Sequence, residues 1–574
     1  MSSDLTHYPD LVQTLLKNRG IKSAEEAERF LAPSYERDIA DPFGILNMER
    51  AVERILVAID EGERTVVFAD YDCDGIPGGT LFNDFLKKIG YTNFEVYIPH
   101  RNNEGYGLSI EAVDTLASRG AKIVITIDCG ITDVLPTARA NELGIDVIIT
   151  DHHLPQEILP PAYAILNSKQ ANDTYHDDML CGAAVAWKLV CALLARRREQ
   201  WSIPVGWEKW LLDMAGLSTV ADLAPLQKEN RALAYYGLKV LRMSKRPGLL
   251  ALLGEMNMEQ KNITEDDIGF MIGPRINAAS RMGDPTDAFK LLSAETREEA
   301  YEYAEKLMHL NDVRKGLVAS MVKEARKHLE VREICDVIVV GNPLWKPGLV
   351  GLVASNLAET YERTVFVWGR SDGGEIKGSC RSDGTVNLVD LMTTVRAGIF
   401  LNVGGHELAG GFSVSSDGIH TLEEELITAY QKVKSEKEPT QIFVDSVLSL
   451  SDVNWVNWKY IEKFAPFGIG NPKPTFRFEK VTLGDVRYFG KEKTHLELTL
   501  VPSPMLGLNT DSPGRALEGI KAIVFFAKAS TEEHGKHGVL KVGDIVDLVA
   551  TMEVNTFRNK RELRLRIVSI TQKR

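Results

Sequence analysis

Two textures alternate along the chain: stretches with apolar residues at helical spacing, and short uninterrupted runs of Val, Ile and Thr. Residues 5 to about 64 have the first texture. LVQTLLKNRG places apolar side chains on one helical face and ends on Gly20, and MERAVERILVAIDEGE repeats the pattern and ends near Gly62. The runs TVVFAD, AKIVITID and DVIITD follow, too short for helices and separated by the helix-like GTLFNDFLKKIG and DVLPTARANELG. Strand, helix, strand at this spacing predicts a parallel α/β sheet. Each run ends in an aspartate: Asp70, Asp128 and Asp151. Ligands of open α/β sheets bind outside the carboxyl ends of the strands. A single aspartate there reads as a helix N-cap; three at one edge point instead to a common site.

Further on, AETREEAYEYAEKLMHLNDVRKGLVASMVKEARKHLE is long, charged and helical, a connecting helix over 293–330. A second α/β unit follows, with CDVIVVGNP and RTVFVWG as strands and GLVGLVASNLAETY as a helix. It closes near 435 at KVKSEKEP. Beyond it HLELTL, AIVFFAK, DIVDLVATMEV and ELRLRIVSI alternate apolar and polar positions, which predicts an antiparallel β-barrel; PSPMLGLNTDSPGRALEG and STEEHGKHG read as loops. The expected fold is α/β: an N-terminal helical region 1–45, a parallel-sheet domain 46–292, the connecting helix 293–330, a smaller α/β domain 331–436 and a C-terminal β-barrel 440–574.

Composition narrows the class. Apolar content of 44% and charged content of 26% are ordinary for a globular protein, and no apolar run approaches a membrane span. The start, MSSDLTHYPDLVQ, has neither a signal-peptide nor a transit-peptide pattern, so a cytoplasmic protein is expected. Six cysteines without a CxxC pair exclude a disulfide scaffold and a four-cysteine zinc site. The net charge of −13 argues against gripping duplex DNA by bulk charge, but is compatible with a local basic groove.

The chemistry concentrates at the predicted strand ends. Asp70-Tyr71-Asp72-Cys73-Asp74-Gly75 places three carboxylates at alternate positions. Such a set repels itself unless a divalent cation takes its oxygens as ligands; the plain alternative is an acidic turn with Gly75 supplying backbone freedom. Asp151-His152-His153 adds imidazole to carboxylate, a set that suits Mn²⁺, Zn²⁺ or Fe²⁺, and Mn²⁺ or Mg²⁺ where carboxylates dominate. Asp222 in ADLAPL becomes informative only beside these two.

DYDCDG, PHRNNEGYGLS, TIDCG, TDHH, ADLAPLQKENR, IGPRINAASRMG, WKPGLVGLVAS, GSCRS, NVGGHELAGGF and APFGIGNPKP, with the RGI…AEEAERFLAP opening, stand in one order. Together they resemble the DHH phosphoesterase superfamily, and within it the bacterial single-strand exonucleases, over nearly the whole chain. The resemblance implies a DHH catalytic domain, a DHH-associated domain and an OB-fold. It implies two divalent ions, Mn²⁺ favoured and Mg²⁺ possible, on Asp72, Asp74, Asp128, His152 and Asp222, with Asp70 as a further candidate. Asp128 would bridge, His153 would stabilise charge at the scissile phosphate, and Asp151 would orient the histidines. Two positions depart from the pattern: Phe68 stands where the superfamily often has a metal-binding histidine, and Lys346 replaces the histidine of the usual WHPG.

On the substrate side, Gly378-Ser379-Cys380-Arg381-Ser382 combines hydroxyl, guanidinium and backbone donors, and Gly404-Gly405-His406 offers close backbone approach with an imidazole; a glycine pair alone reads equally as a turn. The resemblance implies that Ser379 and Arg381, with Arg101, hold a 5′ phosphate, and that Arg275, Asn277 and Arg281 line the DNA path. In the barrel, Phe557, Arg558, Lys560 and Arg561 have the composition of a single-strand contact, or of a solvated hairpin tip. The implied activity is 5′→3′ exonucleolytic hydrolysis of single-stranded DNA to 5′ mononucleotides in repair and recombination, by a monomer working with partners such as a helicase or single-strand-binding protein. The rivals are a phosphodiesterase of short oligonucleotides or cyclic dinucleotides, typically shorter and lacking the barrel, and a non-catalytic replication scaffold, which would have lost metal ligands that this chain keeps.

Overall fold

The computed structural model describes residues 4–371, 373–435, 442–490, 495–502, 519–524, 540–555 and 561–572. They form two compact units, Ile39–Pro439 and the pair of segments Met1–Asp38 with Thr440–Arg574.

The larger unit begins with a parallel sheet of β1 (Thr65–Ala69), β2 (Phe94–Tyr97), β3 (Ile123–Ile127), β4 (Asp146–Thr150) and β5 (Ala164–Leu166), in the order β2-β1-β3-β4-β5. Every residue of β1 and β3 is buried, which is why these runs are continuously apolar rather than alternating. Val66, Phe68, Val124 and Ile149 pack with Val113 and Leu116 of the helix Ile110–Ser118. Helices α1 (Gly75–Lys88) and α2 (Gly182–Arg197) pack against each other, α1 on β1 and β3 and α2 on β3 and β4. The strand order reverses between β1 and β3, which opens a crevice at their carboxyl ends. Asp70 and Asp128 directly follow these two strands, and Asp151 follows β4. Helix α3 (Leu212–Ala221) packs on α1 and α2 and delivers Asp222 from its C-terminal end.

Helix α4 (Gly273–Met282) packs on the connecting helix α5 (Arg297–Leu329), whose far end meets the second sheet. That sheet is mixed, ordered β6-β7-β8-β10-β9 from β6 (Val337–Gly341), β7 (Thr364–Arg370), β8 (Ile376–Arg381), β9 (Phe400–Gly405) and β10 (Ala409–Val414); only β6 and β7 are parallel. One face buries Ile338, Val365 and Val367 against α6 (Pro347–Tyr361) and against Met321, Ala325 and Leu329 of α5; the other packs on the helix Leu422–Val433.

In the smaller unit the long strand β12 (Phe476–Phe489), preceded by β11 (Ser446–Val447), pairs with both β13 (His495–Pro502) and β15 (Ile545–Asn555). With β14 (Ile520–Val524) and β16 (Glu562–Gln572) this closes a five-stranded barrel, bent where the β12 register shifts. The strands are not all antiparallel as the alternation suggests: β14 and β16 run parallel, because a closed barrel with this strand order makes them neighbours. Residues 503–518 of the first expected loop, and the whole of the second, lie outside the described residues. Val12, Leu15, Leu16 and Ala27 of the N-terminal helices share one core with Phe464, Phe476 and Leu483, and Arg19 donates to Asn471 Oδ1 (2.9 Å) and to the Pro472 carbonyl (2.7 Å). The first 38 residues thus fold with the barrel.

Candidate metal centre and substrate cleft

The loop after β1 is built to present carboxylates. Asp72 Oδ1 accepts the backbone N–H groups of Asp74 (2.8 Å) and Gly75 (3.3 Å), which curls the chain back on itself. A Cβ on Gly75 would lie 2.4 Å from the Asp70 carbonyl oxygen, so only glycine closes this turn. Asp74 is buried at the N-terminus of α2, its two oxygens accepting the N–H groups of Gly182 (2.6 Å) and Ala183 (2.9 Å). The positive end of that helix stabilises the carboxylate and fixes its direction. A Cβ on Gly182 would lie 2.5 Å from Asp128 Cβ, so glycine is what lets the helix approach β3. None of Asp70, Asp128 and Asp151 caps a helix, which removes the N-cap alternative.

Asp128 adopts the left-handed conformation (φ 63°), tolerable for aspartate, and is buried. His152 Nε2 stands 3.1 Å from Asp128 Oδ1, 3.6 Å from Asp222 Oδ2 and 3.7 Å from Asp74 Oδ2. Asp151 is fully buried and holds the histidine turn. Its Oδ1 accepts the N–H groups of His152 (2.7 Å) and His153 (3.1 Å) and meets His153 Nδ1 at 2.8 Å, while Oδ2 accepts the Ile131 N–H (2.9 Å). From beyond β5, Asn167 donates to the His153 carbonyl (2.9 Å) and Lys169 Nζ to the His152 carbonyl. The Tyr106 hydroxyl lies 2.9 Å from the Asp128 carbonyl, to which it donates, and 3.0 Å from His153 Nδ1.

Three sets of side chains bring ligand atoms within 4.8 Å of one another: Asp70, Asp72 and Asp128; Asp128, His152 and His153; Asp74, His152 and Asp222. The first and third share no residue, and the second joins them through Asp128 and His152. Oδ1 of Asp70 and Oδ1 of Asp128 are buried with no hydrogen-bond donor. Oxygen-rich sets with orphaned acceptors fit divalent cations. The electrostatics agree. Burial raises the Asp128 carboxyl, reinforced by Asp74, Asp72 and Asp70; burial with Asp74 and Asp72 pushes Asp222 up to about 8. Burial opposes charge on His153, but the Asp151 hydrogen bond and nearby carboxylates outweigh it and raise the imidazole to about 9. Phe68 contributes no ligand: it is buried and stacked on Tyr97 at 5.3 Å.

Beside this cluster, starting at Tyr71 and Tyr106, opens a cleft of about 890 Å³. Arg101, Lys346, Arg370 and Lys377 line it together with Ser379 and Gly404, and among the described residues no aspartate or glutamate does. Arg101 lies over the Tyr71 ring at 4.9 Å. Arg381 donates from Nη1 to its neighbour's carbonyl (2.7 Å), and its Nη2 lies beside Gly351 with Ser379 Oγ. Arg281 donates to the Gly348 carbonyl (2.8 Å).

Other expected substrate residues stand elsewhere. Arg275 is buried against the connecting helix, donating to the Met271 carbonyl (2.6 Å) and to Met308 Sδ (3.0 Å), and does not line the cleft. Asn277 Oδ1 is buried without a partner, also off the cleft lining. Ser382 holds a turn, its hydroxyl donating to the Val386 carbonyl (2.7 Å) and accepting the Gly384 N–H (3.1 Å). Gly405 (φ 145°) packs against the Ala409 carbonyl, and the exposed His406 donates its N–H to it (2.8 Å); neither lines the cleft. Phe557, Arg558 and Lys560 lie outside the described residues; Arg561 stands 5.5 Å over the Trp455 ring. Sequence reasoning passed over Tyr106, Asn167, Lys169 and Gly182. The polar NSKQ directly after the apolar AIL run was the available signal for the second and third.

An acid–histidine centre at the ends of a parallel sheet, joined by a long helix to a second α/β unit, defines the DHH class of phosphoesterases. Residues 64–217 match the DHH family, N-terminal domain, and residues 335–436 the DHHA1 domain. Residues 444–569 match the RecJ OB domain. The chain is 34% identical to the single-stranded-DNA-specific exonuclease RecJ of Bacillus subtilis, over 98% of this chain and 68% of that protein. It is 32% identical to the protein of the same description from Escherichia coli, over 98% and 96%. The chain belongs to the RecJ family. Among solved structures, manganese-bound exonuclease RecJ aligns with a TM-score of 0.58 at 30% identity, over 68% of this chain and 95% of that one. RecJ of Thermus thermophilus with Mn²⁺ shares the fold, with a TM-score of 0.78 at 24% identity over 98% and 76%.

Proposed function

We propose that this chain is a single-strand-specific DNA exonuclease that digests from the 5′ end and releases 5′ mononucleotides. The observation that carries the reading is the junction of a carboxylate–histidine centre with a cleft lined by Arg101, Lys346, Arg370 and Lys377 in a chain of net charge −13. The relatives described as single-stranded-DNA-specific exonucleases support it. Asp72, Asp74, Asp128, His152 and Asp222, with Asp70 alongside, hold two divalent ions, Mn²⁺ or Mg²⁺. Bound there, the ions lower the pKa of a water and neutralise phosphate charge. The chain's own residues do the rest. His153, kept as an imidazolium by Asp151, places positive charge at the scissile phosphate. Asp151 fixes the direction of both imidazoles. Arg101, Ser379 and Arg381 receive the 5′ phosphate, Arg281 stands beside them, and Arg561 with Phe557, Arg558 and Lys560 holds the strand on the barrel. The working divisions are 46–292 for chemistry, 331–436 for the phosphate and 440–574 for the strand, with 293–330 connecting them.

Single strands labelled at either end, incubated with Mn²⁺, with Mg²⁺ and with chelator, test this. Labelled mononucleotide should appear first from the 5′ end, only with metal. Release first from the 3′ end, or equal release from a 5′-blocked strand, overturns the polarity; metal-independent cleavage overturns the site. The setting proposed is the cytoplasm, supported by six free cysteines, with the chain a monomer beside a helicase or single-strand-binding protein. Light scattering and pull-down with those proteins would contradict this by a stable oligomer or by no capture.

A further inference from the structure

Arg101 enters the cleft from the segment that follows β2, and its guanidinium is lightly held there. It rests on the Tyr71 ring, and among the described residues it makes no hydrogen bond or ion pair. Its place is therefore set by the main chain that carries it. That main chain is a closed turn. The N–H groups of Asn103 (3.0 Å) and Glu104 (2.8 Å) donate to the His100 carbonyl, and the Asn102 N–H donates to His100 Nδ1 (3.3 Å). Glu104 ties the turn to the sheet: its Oε1 accepts the His100 N–H (2.7 Å) and its Oε2 accepts the Tyr97 hydroxyl. Tyr97 ends β2, pairs in register with Phe68 of β1 and lies nearly flat on its ring, with 14° between the planes. Burial, then the bond to Glu104, raise the Tyr97 phenol, which keeps it a neutral donor. A line of contacts thus runs from the buried Phe68 through Tyr97 and Glu104 to the turn. Arg101 and Asn102, inside that turn, line the cleft, whereas Glu104 and Tyr97 do not.

We propose that Glu104 is a positioning residue for Arg101, held in turn by Tyr97, and that this pair sets the chain's preference for a strand bearing a 5′ phosphate. The inference rests on the reading that Arg101 receives that phosphate. By charge alone Glu104 works against it: a carboxylate at a phosphate site repels the ligand, so its removal would strengthen binding. Positioning predicts the opposite sign. The full chain and its variants would be titrated in chelator with oligothymidylates labelled at the 3′ end and bearing either a 5′ phosphate or a 5′ hydroxyl. The ratio of the two affinities is the readout. Arg101→Ala should lower that ratio about tenfold, the effect of one charge-assisted hydrogen bond. Glu104→Ala should lower it about fivefold, because a donor displaced by a fraction of its reach keeps only part of its bond. Glu104→Gln loses the charge but keeps an acceptor for the His100 N–H, and should restore most of the ratio. Tyr97→Phe keeps the stack on Phe68 and loses the hydroxyl, and should fall between the two. In the Arg101→Ala background, Glu104→Ala should change the ratio by less than about twofold, since residues acting through one another are not additive. An unchanged or raised ratio in Glu104→Ala overturns the proposal, as does an undiminished effect in the Arg101→Ala background. Equal weakening on both strands overturns it too, because a merely structural turn would not tell the two ends apart. Should Glu104→Ala not fold, Tyr97→Phe carries the same comparison in both backgrounds. If Arg101→Ala leaves the ratio unchanged, the phosphate reading of Arg101 falls and the proposal with it; if Arg101→Ala lowers the ratio and Glu104→Ala does not, the proposal alone falls.

Discussion

Replacing Asp128 by asparagine should nearly abolish turnover while leaving the fold intact or firmer. The substitution keeps the shape and, because asparagine tolerates the left-handed region, keeps the backbone at φ 63° and the Tyr106 hydrogen bond to its carbonyl. What it removes is one buried negative charge. That carboxylate feels Asp74, Asp72 and Asp70, and a pair of like charges about 4 Å apart is worth about 4 kcal/mol at an effective dielectric of about 20. Protonation relieves part of this repulsion when no metal is bound, so the gain in metal-free stability should be on the order of 1 kcal/mol, not the full pairwise sum. With metal the sign reverses. Asp128 belongs to two of the three ligand sets, and losing a shared anionic ligand should lower turnover by about a thousandfold or more, roughly 4 kcal/mol. Turnover on end-labelled single strands and denaturant unfolding with and without Mn²⁺ would be measured together. Turnover within about tenfold of the unaltered chain, about 1.4 kcal/mol, would refute the shared-ligand argument. A large fall in metal-free stability would refute the claim that the charge is unfavourable there. Asp128→Ala should be less stable than Asp128→Asn by about 1 kcal/mol, the strain of alanine at positive φ.

Metal should stabilise the protein more at high pH than at low. The folded pKa values of Asp128 and Asp222 are raised, so between about 4 and 8 the folded state binds more protons than the unfolded one and metal-free stability falls as pH rises. The melting shift on adding Mg²⁺ should therefore grow from pH 6 to pH 8.5, and an equal shift at both would contradict the assignment. Lys188→Met should destabilise by about 3–5 kcal/mol in chemical unfolding, because it strands Glu229, buried with Lys188 and hydrogen-bonded to Tyr175. A loss under about 1 kcal/mol would mean that the pair is not buried as described. Gly182→Ala should cost about 1–3 kcal/mol and at least tenfold in turnover, since its methyl would meet Asp128 at 2.5 Å and push α2, with its hold on Asp74, off the centre. Normal turnover in that variant would show that the helix yields without moving the ligand.

What the chain determines locally is legible as sequence. Strands buried on both faces must be short and continuously apolar, so TVVFA, IVITI and DVIIT announce a parallel sheet, and the aspartates after them fall at its carboxyl edge. The helix spacing of residues 297–329 and the alternation near 495–500 are local signals of the same kind. What the local pattern leaves open is who stands next to whom. Strand order sets β1 beside β3, and hence Asp70 beside Asp128; the packing of α2 and α3 carries Gly182 to Asp74 and Asp222 to His152. The same packing buries Arg275, which by its motif was expected along the substrate path. The closure of the barrel makes β14 and β16 parallel neighbours, and a shared core brings the first 38 residues to it. Residue type and period are properties of a short window, whereas these neighbours follow from which distant apolar faces exclude water together, and that selection is made only when the whole chain packs.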